Sequence, residues 1–226
     1  MLITVDEIQS GVAAVADQDE KTSDIPAADY SLRLKYINMA QNEWAETYDW
    51  QCLYTEFNTN TSQATGNVTV TLPGNFRKLA SFPIIVDDGA TARSYPEVRP
   101  QENKKFLSTD RRVNILGNYG VNYSMIILGA TLVSGASIFV PYYSSAQSLV
   151  SPMNVPSCPN PQFLTKRVIA YIMESRGDSR LNEFKLEAET ILKNMLEFEN
   201  VFGEASTFDR VSTYEETRYG YRIGRD

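Results

Sequence analysis

Histidine is missing altogether from the 226 residues. Its absence removes Ser-His and Cys-His nucleophilic pairs, most zinc sites and the commonest acid–base group near neutral pH. Only carboxylate-based catalysis is left open. Cysteine is almost as scarce, with Cys52 and Cys158 alone. They show no metal-ligand spacing and read as two buried or half-buried thiols, with a disulfide between them as the alternative. Basic residues are the minority, 21 Lys and Arg against 28 Asp and Glu, for a net charge of -7. That excludes an open basic face for duplex DNA, although DNA could slide past such a surface unbound.

Long apolar runs are lacking too. The most apolar region, 125–140, is broken by Gly129, Ser134, Gly135 and Ser137, so no membrane span is expected. Met1, Leu2 and Ile3 lead straight to Asp6 and Glu7, without the basic start or apolar stretch of a signal peptide. There is no Gly-rich phosphate loop. Gly117-Asn118-Tyr119-Gly120 is too short, lacks the Lys and reads as a turn. Asp87-Asp88-Gly89 lacks the spaced ligands of a calcium loop and reads as a hairpin turn. The carboxylate pairs Glu183/Glu187 and Glu174/Asp178 sit among Arg176, Arg180 and Lys185, the makeup of a solvated helix face. No catalytic residue, cofactor or metal site is expected, and the chain reads as non-enzymatic.

What is present suits a folded chain: 42% hydrophobic and 22% charged residues, enough to bury a sizeable core. Thr4 and Glu7 form a capping box for a first helix with Ile8, Val12 and Val15 on one face. A second helix is expected over 26–48, with Tyr30, Leu34, Ile37, Gln41, Trp44 and Tyr48 at helical spacing. Gln41 is the one polar member of that stripe. The period then shortens. Segments 53–57, 68–72, 79–86, 123–128 and 137–143 are rich in β-branched and aromatic residues, predicting five to seven strands. A short helix is expected over 100–107.

A proline-rich hinge, 152–161, precedes a helix capped by Asn160 with Pro161 in its first turn. Gly177 closes that helix, Asp178 caps the next, and Leu181, Phe184, Ala188, Ile191, Leu192, Met195 and Phe202 carry it to Gly203. So short a connection makes an antiparallel hairpin. The expected fold class is thus α+β. A helical bundle (residues 1–50 and the hairpin 151–203) carries a β-rich insertion (51–150) and ends in an extended C-terminal arm (204–226).

Two features point toward binding. Residues 113–165 contain no charged side chain. Either a neutral sheet or a subunit interface would account for that, and Tyr119, Tyr123, Tyr142 and Tyr143 are the interface candidates. The arm interleaves Phe208, Tyr214, Tyr219 and Tyr221 with Arg218, Arg222 and Arg225, whereas merely solvated tails are poor in aromatics.

Three local stretches carry a resemblance. Trp44 through Tyr48, Asp49 and Trp50 end a helix and run into the first strand. Leu72-Pro73-Gly74-Asn75-Phe76-Arg77-Lys78-Leu79 is similar to an LP-x-x-F-R-x-L stretch, and Ile138-Phe139-Val140-Pro141-Tyr142-Tyr143 to a closing strand. With the expected order of elements, the chain resembles the head-to-tail adaptor (connector or neck) proteins of short-tailed bacteriophages. That resemblance implies a structural virion protein of the neck, between capsid and tail, assembled in the host cytoplasm. It implies a ring, usually of twelve copies, bound to the portal protein on one side and a tail or nozzle protein on the other. DNA would pass through without specific binding, and no membrane is involved. It also implies that the arm docks on the portal, with its tyrosines as contacts and its arginines pairing with acidic groups. Alternatives are another ring component, such as a stopper or tail-tube protein, or a carbohydrate-binding module of a receptor-binding protein. The last would expose Trp platforms, whereas Trp44 and Trp50 both fall near a helix end.

Overall fold

The computed structural model describes residues 3–16, 27–61, 68–87, 89, 91–107, 110–118, 122–128 and 134–218; at 27, 28, 118, 122 and 201–218 only the backbone is described. These residues hold four α-helices, α1 (Val5–Ala16), α2 (Ala27–Thr47), α3 (Pro161–Arg176) and α4 (Leu181–Arg218). Between α2 and α3 run eight strands: β1 (Tyr54–Asn60), β2 (Val68–Thr71), β3 (Phe76–Leu79), β4 (Ile84–Asp87), β5 (Ala92–Tyr95), β6 (Arg112–Asn118), β7 (Asn122–Leu128) and β8 (Ser137–Ser144). The chain divides into two units, Met1–Gln51 with Ser148–Asp226, and Cys52–Gln147.

In the helical unit α3 is the hub, packing against α1, α2 and α4. Its own sequence explains why. Phe163, Leu164, Val168, Ile169, Ala170, Ile172 and Met173 are all buried, so α3 is apolar around more of its circumference than a one-sided surface helix. The Asn160 side chain accepts from the amides of Gln162 and Phe163 at 3.0 and 3.3 Å. Gly177, with φ 66°, takes the left-handed conformation that ends the helix. At the start of α1 the capping box closes both ways: the Thr4 amide donates to Glu7 Oε2 at 2.7 Å, and the Glu7 amide to Thr4 Oγ1 at 3.4 Å. The last turn of α2 is sealed by Trp50. Its indole Nε1 donates to the Trp44 carbonyl at 2.7 Å, and the two rings stack 5.0 Å apart. An orphan carbonyl at a helix end thus gets its partner from the residue that also fills the space beside it.

The other unit is two antiparallel sheets around one core. In the first, β8 is the spine: β1 pairs along its whole length, while β3 and then β4 pair with its other edge, and β5 lies beyond β4. The second has the order β2-β7-β6. The inward residues of both, among them Val70, Ile84, Val86, Tyr95, Val113, Met125, Ile127, Ile138, Val140 and Tyr142, make a single buried cluster.

These observations correct the expected architecture. The protein is α+β with two antiparallel sheets, and the β region, with its own two-sheet core, is no accessory of a helical bundle. The expected strand over 79–86 is two strands. Pro83 has no amide to donate, and the chain bends between Leu79 and Ile84 before rejoining the same edge of β8. Strands β5 and β6 went unforeseen because their polar members hide the alternation. Arg112 and Asn114 are buried, 8% and 3% exposed, under a covering segment. Arg112 Nε donates to Asn103 Oδ1 at 2.9 Å and its Nη1 to the Leu107 and Asp110 carbonyls. Asn103 Nδ2 donates to Asn114 Oδ1. The short helix expected over 100–107 is this cover, a 3-10 helix from Pro100 to Lys105.

The extended C-terminal arm is also corrected. Helix α4 runs without interruption to Arg218. Gly203 was expected to stop it. A single glycine costs only about 1 kcal/mol against alanine inside a helix, and no proline follows it before Arg218.

Candidate interaction surface

The arm residues Phe208, Tyr214 and Arg218 lie on the backbone of α4. Tyr219, Tyr221, Arg222 and Arg225 lie outside the described residues, as does Tyr119. The other three tyrosines are described, and they differ. Tyr142 is core: 5% exposed, stacked on Phe76 at 5.6 Å, its hydroxyl donating to Asn75 Oδ1 at 3.0 Å. Tyr143 is half-buried, edge-on to Tyr54 and approached by the Arg77 and Lys78 cations at 5.8 and 5.9 Å. Only Tyr123, 39% exposed, offers much surface. Its ring lies so close over Gly117 that a Cβ there would meet it at 2.8 Å.

The uncharged tract has two parts with different causes. Through Ser144 it supplies β7 and β8, the middle strands of their sheets, and a central position explains the lack of charge. No strand or helix covers residues 145–160, yet this part is just as neutral. Here the geometry is specific. Asn38 on α2 donates from Nδ2 to the Leu149 carbonyl at 3.0 Å and accepts from the Leu149 amide at 2.8 Å. Three residues on, Gln41 Oε1 accepts from the Ser157 amide at 2.7 Å. Asn154 Oδ1 accepts from the amides of Val150 and Ser151 at 2.9 and 2.8 Å. The carbonyls of Asn154 and Pro152 accept from the Val5 and Asp6 amides at the start of α1, at 2.9 and 3.1 Å.

The loop is therefore bolted to α1 and α2 through its backbone, while Leu149 and Cys158 bury their side chains beneath it, 2% and 5% exposed. What it holds outward is apolar. Val150 is 77% exposed, Met153 76% and Val155 38%. Loops normally present polar side chains and move; this one spends side-chain hydrogen bonds on keeping two large apolar groups in water. The sequence carried one signal for it. Gln41 is a fully buried polar residue in an apolar stripe, and such a residue requires a fixed partner.

A second cluster joins α2 to α3. Arg167 grips the Glu43 carboxylate with both arms, Nη2 to Oε1 at 2.6 Å and Nε to Oε2 at 2.8 Å, and the Tyr171 hydroxyl donates to Oε2 at 2.6 Å. Burial, then the hydrogen bond to the Glu43 anion, pushes the Tyr171 phenol up to about 12. Burial opposes the charge on Arg167, but Glu43 outweighs it and the guanidinium is held above its ordinary value. The open cleft beside this clamp, about 480 Å³, is lined by Met39, Asn42, Glu46 and Thr47 besides Glu43 and Tyr171. Both oxygens of Glu43 are engaged, so the cluster acts as a clamp between helices. In each of the pairs Glu183/Glu187 and Glu174/Asp178, one member is ion-paired. Glu187 meets Lys166 at 2.6 Å, and Asp178 meets Arg180 at 2.8 Å, which holds its carboxyl down to about 2. No group of three or more metal-ligating side chains occurs among the described residues, and none of their helices is long and apolar enough to cross a membrane. Compared with protein-family models and with curated proteins, the sequence matches none.

Proposed function

We propose that this chain is a non-enzymatic assembly protein whose 148–160 loop docks on another protein. One observation carries the reading: Val150 and Met153 stand about three-quarters exposed on a backbone that Asn38, Gln41 and Asn154 hold in place. Burying each side chain in a partner contributes about 1.5–3 kcal/mol. Because the loop is already ordered, little of that is lost to fixing it. No charge in the loop has to be desolvated on docking.

The finer reading follows the resemblance of residues 72–79 and 138–143. The chain is a head-to-tail adaptor of a short-tailed phage, forming a ring between portal and tail at the virion neck, with DNA passing through. The loop then serves a subunit or portal contact. Its neutrality suits repeated contact between copies that each carry a net charge of -7. A carbohydrate-binding module would expose Trp platforms, whereas Trp44 and Trp50 are 0% and 2% exposed and stack on each other.

The test is negative-stain imaging of the purified protein with the portal protein of the same virus. Closed rings on the portal are expected from the native chain. The Val150→Glu, Met153→Glu double variant should keep its fold by circular dichroism and form none. A native chain that stays monomeric beside the portal would refute the adaptor reading. A double variant that assembles normally would refute the role of the loop.

A further inference from the structure

The edge strands of the β unit are short or covered, with one exception. β2, β3 and β5 have four residues each. β6 is overlain at its start, where the Val113 amide donates to the Pro96 carbonyl and the Val98 amide to the Val113 carbonyl, both at 2.9 Å. The exception is β1. Its seven residues pair with β8 in unbroken register from Tyr54↔Tyr143 to Asn60↔Ser137, and among the described residues no strand pairs with its other edge. It has none of the devices that usually blunt a free edge, neither lysine, proline nor bulge.

The ladder fixes which groups that edge offers. The Thr61 amide donates to the Ala136 carbonyl at 2.8 Å, so Thr61 faces β8 and, by alternation, so do Thr59 and Phe57. Glu56, Asn58 and Asn60 therefore turn their amides and carbonyls outward. Pro141 agrees with this. It stands opposite Glu56, where β8 needs no amide toward β1, and its carbonyl accepts from the Ala80 amide on the far side at 3.0 Å. The side chains of Glu56, Asn58 and Asn60 are exposed and share one face.

We infer that this edge pairs antiparallel with β1 of a second copy of the chain, about a two-fold axis at Asn58. Glu56 then lies opposite Asn60 of the second copy and Asn58 opposite its own counterpart, and each such pair exchanges both main-chain hydrogen bonds. Two observations select that occupant. The only charge in β1 is Glu56, and the two-fold sets it against a neutral amide, never against itself. Tyr54 Oη donates to Glu56 Oε1 at 3.0 Å and Ser137 Oγ to Asn60 Oδ1 at 3.2 Å. Glu56 Oε2 is left to accept and Asn60 Nδ2 to donate, and the axis brings these two together. A foreign strand would be held by pockets for its alternate side chains, and the face formed by Glu56, Asn58 and Asn60 offers none. The net charge of -7 on each copy opposes association, so pairing is weak and depends on concentration. It is independent of what the 148–160 loop binds.

Sedimentation equilibrium of the full chain over a wide concentration range tests it. The native protein should dimerise reversibly. Asn58→Lys and Asn58→Glu each set like charges opposite one another at the axis. Each alone should keep the native circular dichroism spectrum and dimerise at least ~10-fold more weakly, whereas the uncharged Asn58→Ser should dimerise nearly as the native chain does. Mixed in equal amounts, the Lys and Glu variants should recover pairing, because opposite charges then meet. A native chain that is monomeric throughout, or a charged variant that dimerises unchanged, overturns the inference. So does a mixture no tighter than its separate components, the result expected if β1 pairs head-to-tail with a different edge such as β5.

Discussion

Asn38 and Leu149 lie 111 residues apart in the chain and exchange a reciprocal pair of hydrogen bonds, amide side chain to backbone, at 3.0 and 2.8 Å. The side chain imitates a neighbouring strand for one residue, and so a loop gains the order of a sheet edge. Asn38→Leu keeps the approximate size and removes both bonds, leaving the buried Leu149 amide and carbonyl unmet. A loss of ~2 kcal/mol is expected, measured by urea denaturation. Amides 149–154 should exchange faster with deuterium than in the native chain. Unchanged exchange there would show that Asn38 does not hold the loop.

Tyr142 and Tyr123 were both interface candidates, and they should part company on substitution. Tyr142→Glu puts an unpaired carboxylate into the two-sheet core and should cost more than ~3 kcal/mol, melting the β unit. Tyr123→Glu alters a partly exposed site and should cost ~1 kcal/mol or less. Thermal melts of the two variants give the comparison, and equal losses would contradict the burial difference.

The Tyr171 phenol is raised from 10.0 to about 12. Because the folded value is the higher one, the neutral phenol is favoured by folding. Its contribution is full below pH 10 and disappears as pH rises through about 12. An ultraviolet absorbance titration should show a phenol ionising near pH 12, absent in Tyr171→Phe.

Asn160→Ala removes the acceptor for two amides at the start of α3. Since α3 is the hub of its unit, a loss of about 1 kcal/mol should appear as a lower denaturation midpoint of the helical unit, without change in the loop that precedes it.

Local chemistry was legible in the sequence wherever a residue acts on its near neighbours. Thr4 with Glu7, Asn160 with Pro161, and Gly177 each mark a helix end, because a cap is satisfied within four residues. The Asp87-Gly89 turn is of the same kind, with the Gly89 amide donating to Asp87 Oδ1 at 2.9 Å. Gly203 shows the limit of that logic. A glycine marks a stop only if the next residues gain nothing from continuing the helix, and α4 continues.

What the sequence by itself determined was the order of helices and most strands, the capping, and the presence of a neutral tract, since each depends on spacing along the chain. Only the tertiary structure decided which part of that tract is core and which is surface. Tyr142 and Met153 belong to the same uncharged stretch, yet one is 5% exposed and the other 76%. The difference comes from partners far away in sequence: Asn75 and Phe76 enclose Tyr142, whereas Asn38 and Gln41 hold the backbone around Met153 and leave its side chain in water. Burial is a property of what the rest of the chain brings alongside, and spacing does not encode it.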